Sequence, residues 1–374
     1  MAWKVCTMMS EKERFRRVAS LPNANMSELC REFGITRKTG YLWKNRKEIK
    51  NGLGRSRRPL TSPNQTLSPI EALCIGVRLE HPTWGGVKIY RHLMDLGYVG
   101  MPCEKTINRI LKRNGFISFE ASEKHKPWKR FEHENPNDLW QMDFKGHFET
   151  AKGRCHPLTL LDDHSRFSLL IRSCANQKTD TVKQALTDTF REYGLPLRMT
   201  MDNGPPFGCS SHQQHTRLTV WLIHLGITVS HSRPYHPQTQ GKLERFHRVL
   251  NEDLISLYSF DDLSDAQRGF DYFRQIYNEV RPHGAIHLEV PRKRYISSTR
   301  MFPEILPSIA YPETALVRKV NSDGIISLKG KRYRVGECFE GYPVALEETD
   351  EPHSVNVILG HQKVIKIDLN REAA

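Results

Sequence analysis

The 374-residue chain has no C-x-x-C pair among its eight cysteines, which argues against a disulfide framework or a zinc ribbon and favours a reducing, cytosolic setting. It has no run near the about 18 apolar residues of a membrane span. Residues 1–15 lack the apolar centre of a signal peptide, and no internal repeat or low-complexity tract is present. Acidic charge is also scarce: 42 Asp and Glu face 56 Lys and Arg, for a formal charge of +14. The length suggests two or three domains with ample core.

The shortage of acid is local. Residues 1–136 hold 26 basic and 13 acidic side chains, and the remainder is nearly balanced at 30 and 29. A basic N-terminal third on a neutral body suggests a polyanion-binding part joined to something else. A capping-box pattern, Ser10 with Glu13, predicts a helix to about Ser20. A second helix is predicted from about Ser27 to Phe33, Gly34 ends it, and a third follows over 36–50. Two short helices across a glycine turn predict a helix-turn-helix domain over 1–50. Its candidate DNA contacts are Arg37, Lys38, Thr39, Tyr41, Lys44 and Arg46. Gly40 is out of place there, costing about 1 kcal/mol inside a helix.

Residues 51–65 read as a basic linker, with Arg55, Arg57 and Arg58 placed to lie along phosphates. "SPIE" at 68–71 is a second capping-box pattern with proline at the first helical position. Helices are predicted at about 69–80, 84–96 and 103–114, with Gly97 and Gly115 as stops. The last carries Lys105, Thr106, Arg109, Lys112 and Arg113, and 66–120 reads as a second helix-turn-helix. Residues 1–116 are therefore expected to bind DNA without the rest of the chain.

From about residue 138 the period changes to two. Trp140, Met142 and Phe144 alternate with Gln141, Asp143 and Lys145, so Asp143 points away from the apolar face. "PLTLLDDHSRFSLLIRS" predicts a hairpin around "DDHSR", which would put Asp162 and Asp163 in a turn. A helix over about 179–193 ends at Gly194. The strand in "LPLRMTMDNG" ends with Asp202 at its tip, and a further helix and short strand lead to "HPQTQGKLERFHRVL". There Glu244 sits among Lys242, Arg245 and Arg248. Alone, Glu244 reads as half of an i,i+4 pair with Arg248. With Asp143 and Asp202 at other element ends, it becomes a third carboxylate on one sheet edge. Three such groups repel unless cations neutralise them. Mg2+ suits carboxylate oxygens, and two ions roughly 3.5–4 Å apart clamp the oxygens of a phosphodiester undergoing displacement.

The ordered series "WQMDF", "LDDHSR", "MDNG", "HPQTQGKLERFHR" and "YNEVRPH" resembles the retroviral-integrase-type DDE transposases of bacterial insertion sequences, and most of all the IS481 group related to IS3. The resemblance spans residues about 10–300. It implies a central α/β ribonuclease-H-like integrase core over 135–300; with the N-terminal all-α helix-turn-helix modules and a small C-terminal β-barrel over 310–370, both read from the residues themselves, the chain is expected to be multidomain. The resemblance implies that Asp143, Asp202 and Glu244 are both the catalytic triad and the ligands of two Mg2+ ions, with Mn2+ able to substitute. It further implies a DNA transposase of the bacterial cytoplasm and nucleoid. Such a protein binds inverted-repeat ends and target double-stranded DNA as a homo-oligomer, and transfers strands in line without a covalent protein–DNA intermediate. His236, Gln238, Lys242, Arg245 and Arg248 would hold DNA near the metals. A DNA-binding regulator with a decayed core is the alternative, which the intact triad disfavours. A simple ribonuclease-H-like nuclease is another, which would not need the upstream modules.

Two features depart from the family pattern. The 41 residues between Asp202 and Glu244 exceed the usual spacing, the excess lying at 208–217. Relatives often carry a base seven residues after the glutamate; here that residue is Asn251, with Arg248 the nearest substitute. Cys209, His212 and His215 have a spacing zinc tolerates, but no fourth ligand is evident and no zinc site is expected. The alternating strands after residue 310, with Arg318, Lys319, Lys329, Lys331 and Arg332, predict the β-barrel and give it a mildly basic side.

Overall fold

The computed structural model describes residues 8–45, 66–117, 132–208, 215–231 and 241–371. Arg46, the 51–65 linker with Arg55, Arg57 and Arg58, Cys209, His212, His236 and Gln238 lie outside the described residues. The chain forms two compact units, residues 1–65 and 66–374.

In the first unit three helices, α1 (Met8–Ala19), α2 (Met26–Glu32) and α3 (Arg37–Lys44), close over Phe15, Ala19, Met26, Leu29, Cys30, Ile35 and Trp43. α1 opens at Met8, two residues before the expected Ser10 cap. The Asn25 side chain caps α2 and Thr36 caps α3, each accepting from backbone N–H groups that have no partner within the helix. Gly34 holds φ +58 in the turn between them. Gly40 is required where it stands: a Cβ there would lie 2.4 Å from Cys30 Sγ and 3.2 Å from Phe15. The glycine is where α3 crosses its neighbours, and the intrinsic helix penalty is outweighed by close packing.

The second unit begins with α4 (Ser68–Glu80), α5 (Gly86–Asp95) and α6 (Glu104–Arg113), packed around Cys74, Trp84, Ile89, Leu93, Ile107 and Leu111. The "SPIE" capping box does not form. Ser68 is already helical, Leu67 is the cap residue without a side-chain bond, and Glu71 instead pairs with Arg113.

Next comes the sheet: β1 (Leu139–Phe144), β2 (Phe148–Thr150), β3 (Gly153–Asp162), β4 (Ser168–Cys174), β5 (Arg198–Met201) and β6 (Thr228–His231). The order across it is β4-β3-β1-β5-β6, with β2 extending the β3 edge. β1 runs antiparallel to β3 and parallel to β5, and β5 runs parallel to β6. The crossovers between parallel strands are helical: α7 (Thr179–Tyr193) and α8 (Arg217–His224). α9 (Gly241–Leu250), continued by a π-helical turn Asn251–Ile255, and α10 (Leu263–Gln275) follow. Alternation along β1 and β3 sends Trp140, Met142, Leu158 and Leu160 into a core with Val182, Phe190 and Trp221. It sends Cys155 and Leu161 into a second core with Leu243, Phe246, Leu250, Phe270 and Tyr277. Helices therefore cover both faces of the sheet.

The α4–α6 module is joined to this core. Thr83 Oγ1 donates to Asp253 at 2.5 Å, Arg281 pairs with the same carboxylate, and Val280 packs on the module's apolar cluster. A cut at residue 116 would sever that contact, so the expected free-standing 1–116 part is not a structural unit; residues 1–65 are.

The last strands are β7 (Leu316–Lys319), β8 (Ile325–Leu328), β9 (Lys331–Arg334), β10 (Pro343–Glu348), β11 (Ser354–Leu359) and β12 (Gln362–Asp368). They form an antiparallel sheet, β12-β11-β10-β7, and a separate β8–β9 hairpin; among the described residues no pairing closes them into the expected barrel. Their apolar side chains, including Ile326, Tyr333, Phe339 and Val344, join the first core of the central sheet. Apolar burial against a neighbour does the work that closure would otherwise do.

Gly40→Ala should therefore destabilise the first unit by about 1–3 kcal/mol through overpacking, although alanine favours helix by about 1 kcal/mol. Adding Cys30→Ala should recover much of the loss; urea denaturation of both variants checks this.

Candidate active site

The centre of the sheet sets the geometry. In the β1–β5 register, Leu139 faces Arg198 and Gln141 faces Thr200. Two residues further on, the same offset brings Asp143 level with Asp202, on strands about 4.8 Å apart. The Asp202 turn is tight: a Cβ on Gly208 would meet the Asn203 carbonyl oxygen at 2.7 Å, and Phe207 stacks on Phe144 at 5.6 Å. His231 of β6 donates from Nδ1 to the Asp202 carbonyl at 2.9 Å.

α9 crosses the face that carries Asp143. His247 Nε2 lies 2.7 Å from Thr159 Oγ1, and that hydroxyl donates to the Asp143 carbonyl at 2.9 Å. Because the hydroxyl proton is committed, His247 is the donor to it, which fixes the imidazole tautomer. Burial, with Lys145 nearby, lowers the His247 pKa to about 4, so the ring is neutral. One turn before His247 stands Glu244, exposed on the first turn of α9; one turn after it stands Asn251, which accepts from Lys145 Nζ at 3.0 Å. Glu244, His247 and Asn251 thus form one helical stripe over Asp143, Thr159 and Lys145.

The electrostatics follow from this crowding. Burial, then the Asp202 charge and more weakly Glu244, push the Asp143 pKa up to about 7, against an opposing backbone bond from Phe144. Burial also raises Asp202, against a backbone bond from Gly204 and the charge of His231. Asp202 Oδ1 is buried without a hydrogen-bond partner. A buried, unmet carboxylate oxygen beside a second carboxylate that resists ionisation suits a hard divalent cation. Among the described residues no three His, Cys, Asp or Glu side chains are gathered tightly enough to ligate one ion as they stand. The acids approach one another without closing.

The head of α9 is fixed by an ion pair. Lys242 Nζ lies 2.5 Å from Asp163 Oδ1, the two side chains being 19% and 2% exposed. Gln141 Nε2 donates to the same oxygen at 2.9 Å, and His133 donates to Oδ2 at 3.0 Å from its ring. Burial pushes Asp163 upward, but the Lys242 charge and these bonds overcome it and leave the carboxyl below its usual range. Asp162 is also buried, accepting from Ser165 and from the Asn137 backbone. Asp163 lies in the expected turn and Asp162 ends β3, and both are buried structural groups.

Of the bases expected on DNA, Arg37, Lys38 and Tyr41 are exposed on α3, Lys44 is half-buried, and Thr39 shares the Thr36 cap. Lys105, Arg109 and Lys112 are exposed on α6, Thr106 meets Cys103, and Arg113 is held by Glu71. Arg245 and Arg248 are exposed on α9, whereas Lys242 is drawn into the Asp163 pair. Burial lowers the pKa of His215 to about 4, and its ring lies 5.8 Å from Phe339. Sequence reasoning passed over Thr159, His247, Asp163 and Lys145. The one usable signal was the helical spacing of His247 and Asn251 from Glu244.

Comparison with known families agrees with this architecture. Integrase core domain models match residues 133–237 and 225–291, and the C-terminal domain model of the IS481 family transposases matches 315–374. A putative transposase for insertion sequence element IS5376 of Geobacillus stearothermophilus is 23% identical over 349 residues, 90% of this chain and 81% of that protein. An uncharacterized 31.7 kDa protein of insertion element IS407 of Burkholderia multivorans is 26% identical over 42% of this chain; the chain spans about half of it, 54%. Among solved structures, the HTLV-2 integrase catalytic core domain in complex with magnesium is similar at 17% identity and a TM-score of 0.34, covering 43% of this chain and 97% of that one. The fold and the matched domains define an integrase-core protein. Over residues 315–374 it is similar to the C-terminal domain of the IS481 family transposases.

Two outcomes follow for the site. Between about pH 4 and 7 folded Asp143 holds a proton that the unfolded chain releases, so stability falls as pH rises through that window. Without divalent metal, Asp143→Asn should be more stable than wild type at pH 8, by a few kcal/mol at most at about 1.4 kcal/mol per pKa unit. The difference should vanish below about pH 4, as denaturation across pH would show. Asp163→Ala should cost about 3 kcal/mol, because it strands the Lys242 ammonium; guanidinium unfolding at neutral pH measures it.

Proposed function

We propose that this protein is a DNA transposase that binds the terminal inverted repeats of its own element and uses Asp143, Asp202 and Glu244 with two Mg2+ ions to cut and join strands. The observation that carries the reading is the level placement of Asp143 and Asp202 on adjacent parallel strands, with Asp202 Oδ1 unmet and Glu244 near enough to raise Asp143. Bound Mg2+ would lower the cost of charge on the attacking and leaving oxygens. The chain's part is to hold the three carboxylates, with His247 and Thr159 fixing α9 to the backbone of Asp143. In cleavage, a water oxygen bonds to phosphorus, the bond to the 3′ oxygen breaks, and a 3′-OH is released. In joining, that 3′-OH attacks a target phosphate and displaces the target's own 3′ oxygen.

The exposed bases of α3 and α6 would contact DNA, and recognition of two ends by one assembly favours a homo-oligomer. No helix among the described residues is long and apolar enough to cross a membrane. The C-terminal sheet, packed on the core, would position its basic hairpin beside the catalytic unit.

Asp143→Asn, Asp202→Asn and Glu244→Gln each remove a metal-binding charge at nearly constant shape. Each should lower Mg2+-dependent end cleavage and strand transfer by at least about a thousandfold, which corresponds to ~4 kcal/mol. Binding of end DNA should persist. Asp180→Asn, at an exposed position on α7, is the control. Near wild-type cutting by Glu244→Gln would remove that residue from the site.

A further inference from the structure

Among the described residues, Lys145 is a cation without an anion. It lies two residues beyond Asp143 on the same face of the same chain segment, about 7 Å further along. It is half-buried, and its side-chain hydrogen bond goes to a neutral amide, Asn251 Oδ1 at 3.0 Å. Among the described residues no carboxylate forms an ion pair with it. The nearby imidazole, His247, is neutral and points its Nε2 proton at Thr159. A partly desolvated ammonium is costly unless something negative meets it. The other bases close to Glu244 differ: Lys242 is consumed by Asp163, and Arg245 and Arg248 stand exposed on α9. The Asn251 bond directs the Lys145 ammonium toward α9.

We propose that Lys145, aimed by Asn251, binds a backbone phosphate of the DNA strand lying across the acid cluster, next to the phosphate that reacts. Lys145 is then a strand-positioning residue: it sets where along the strand the acids act and touches no reacting atom. This rests on the transposase reading. The location suits phosphate because a carboxylate at that place would draw the ammonium away from Asn251 and into a fixed pair, as Asp163 does with Lys242.

The test uses the full chain with Glu244→Gln, so that no strand is cut, and a labelled blunt duplex from the DNA flanking the gene. Binding is measured over a range of salt. Lys145→Gln should weaken binding about tenfold, the scale of one charge-assisted hydrogen bond. It should also reduce the slope of log affinity against log salt by about one, as loss of one phosphate contact requires. Lys145→Arg should keep the slope. Because the two side chains face each other, Lys145→Gln with Asn251→Lys should return the charge from the α9 side and restore both slope and affinity. In the catalytically intact chain, Lys145→Gln should spread the cut over neighbouring positions. An unchanged slope in Lys145→Gln, with an unchanged melting temperature, would overturn the proposal. A slope lost but not restored by Asn251→Lys would also overturn it, by placing the phosphate away from this pair. If the otherwise wild-type chain neither binds nor cuts such ends with Mg2+, it is the transposase reading that fails.

Discussion

The parallel pairing of β1 with β5 decides where two carboxylates meet. Its register carries Asp143 and Asp202 to one level on adjacent strands, and both are half-buried there. Burial first, and the neighbouring Asp202 charge second, push the Asp143 pKa up to about 7. α9 has to arrive over the same edge for Glu244 to matter. It is held along its length: by Lys242 on Asp163 at its head, His247 on Thr159 in its middle, and Asn251 and Asp253 beyond. Each contact is polar and specific, while Leu243, Phe246 and Leu250 supply the apolar burial that keeps the helix down.

The rest of the unit seals the sheet that bears this site. An edge strand exposes unpaired backbone groups, a ready template for other chains. At the β4 edge, Asn278 mimics a strand residue, accepting from Ser168 N at 2.8 Å and donating to Ser168 O at 3.0 Å. Arg274 and Gln267 cover the Leu169 and Ile171 carbonyls. At the β6 edge, Gln362 of the C-terminal sheet does the same for Val229, with both bonds at 2.8 Å. The C-terminal strands are therefore part of how the central sheet ends, and their apolar residues continue its core. The α4–α6 module is likewise tied to the helix that carries Glu244, through Thr83 and Asp253. Glu244 and the seat of the α4–α6 module at Asp253 thus lie on one continuous helical segment.

Basic residues divide into two kinds once packing is known. Arg113 and Lys242 lie in basic stretches of sequence yet are taken up by Glu71 and Asp163. Lys105, Arg109 and Arg248 stay exposed. Lys145 belongs to neither group, being partly buried and bonded, among the described residues, to an amide. Charge counted along the chain cannot make this distinction, because it depends on which acid the fold brings within reach.

The sequence alone determined the order of elements and the candidate acids. Periods of two and 3.6 are local properties, so β1, the β3–β4 hairpin, α7 and its stop at Gly194 were all legible, and Asp143, Asp202 and Glu244 stood out at element ends. The motif series carried the family. Cap residues were less secure: "SPIE" looked like a capping box, but Glu71 had a stronger partner 42 residues away. Tertiary structure alone decided the role of Gly40, the burial of Asp162 and Asp163, the open C-terminal sheet, and the seat of the α4–α6 module on the core. These depend on contacts between residues far apart in sequence, as between Lys145 and Asn251 or Lys242 and Asp163. Such contacts leave no periodic trace, because packing selects partners by distance in space and the pattern along the chain records only which face each residue occupies.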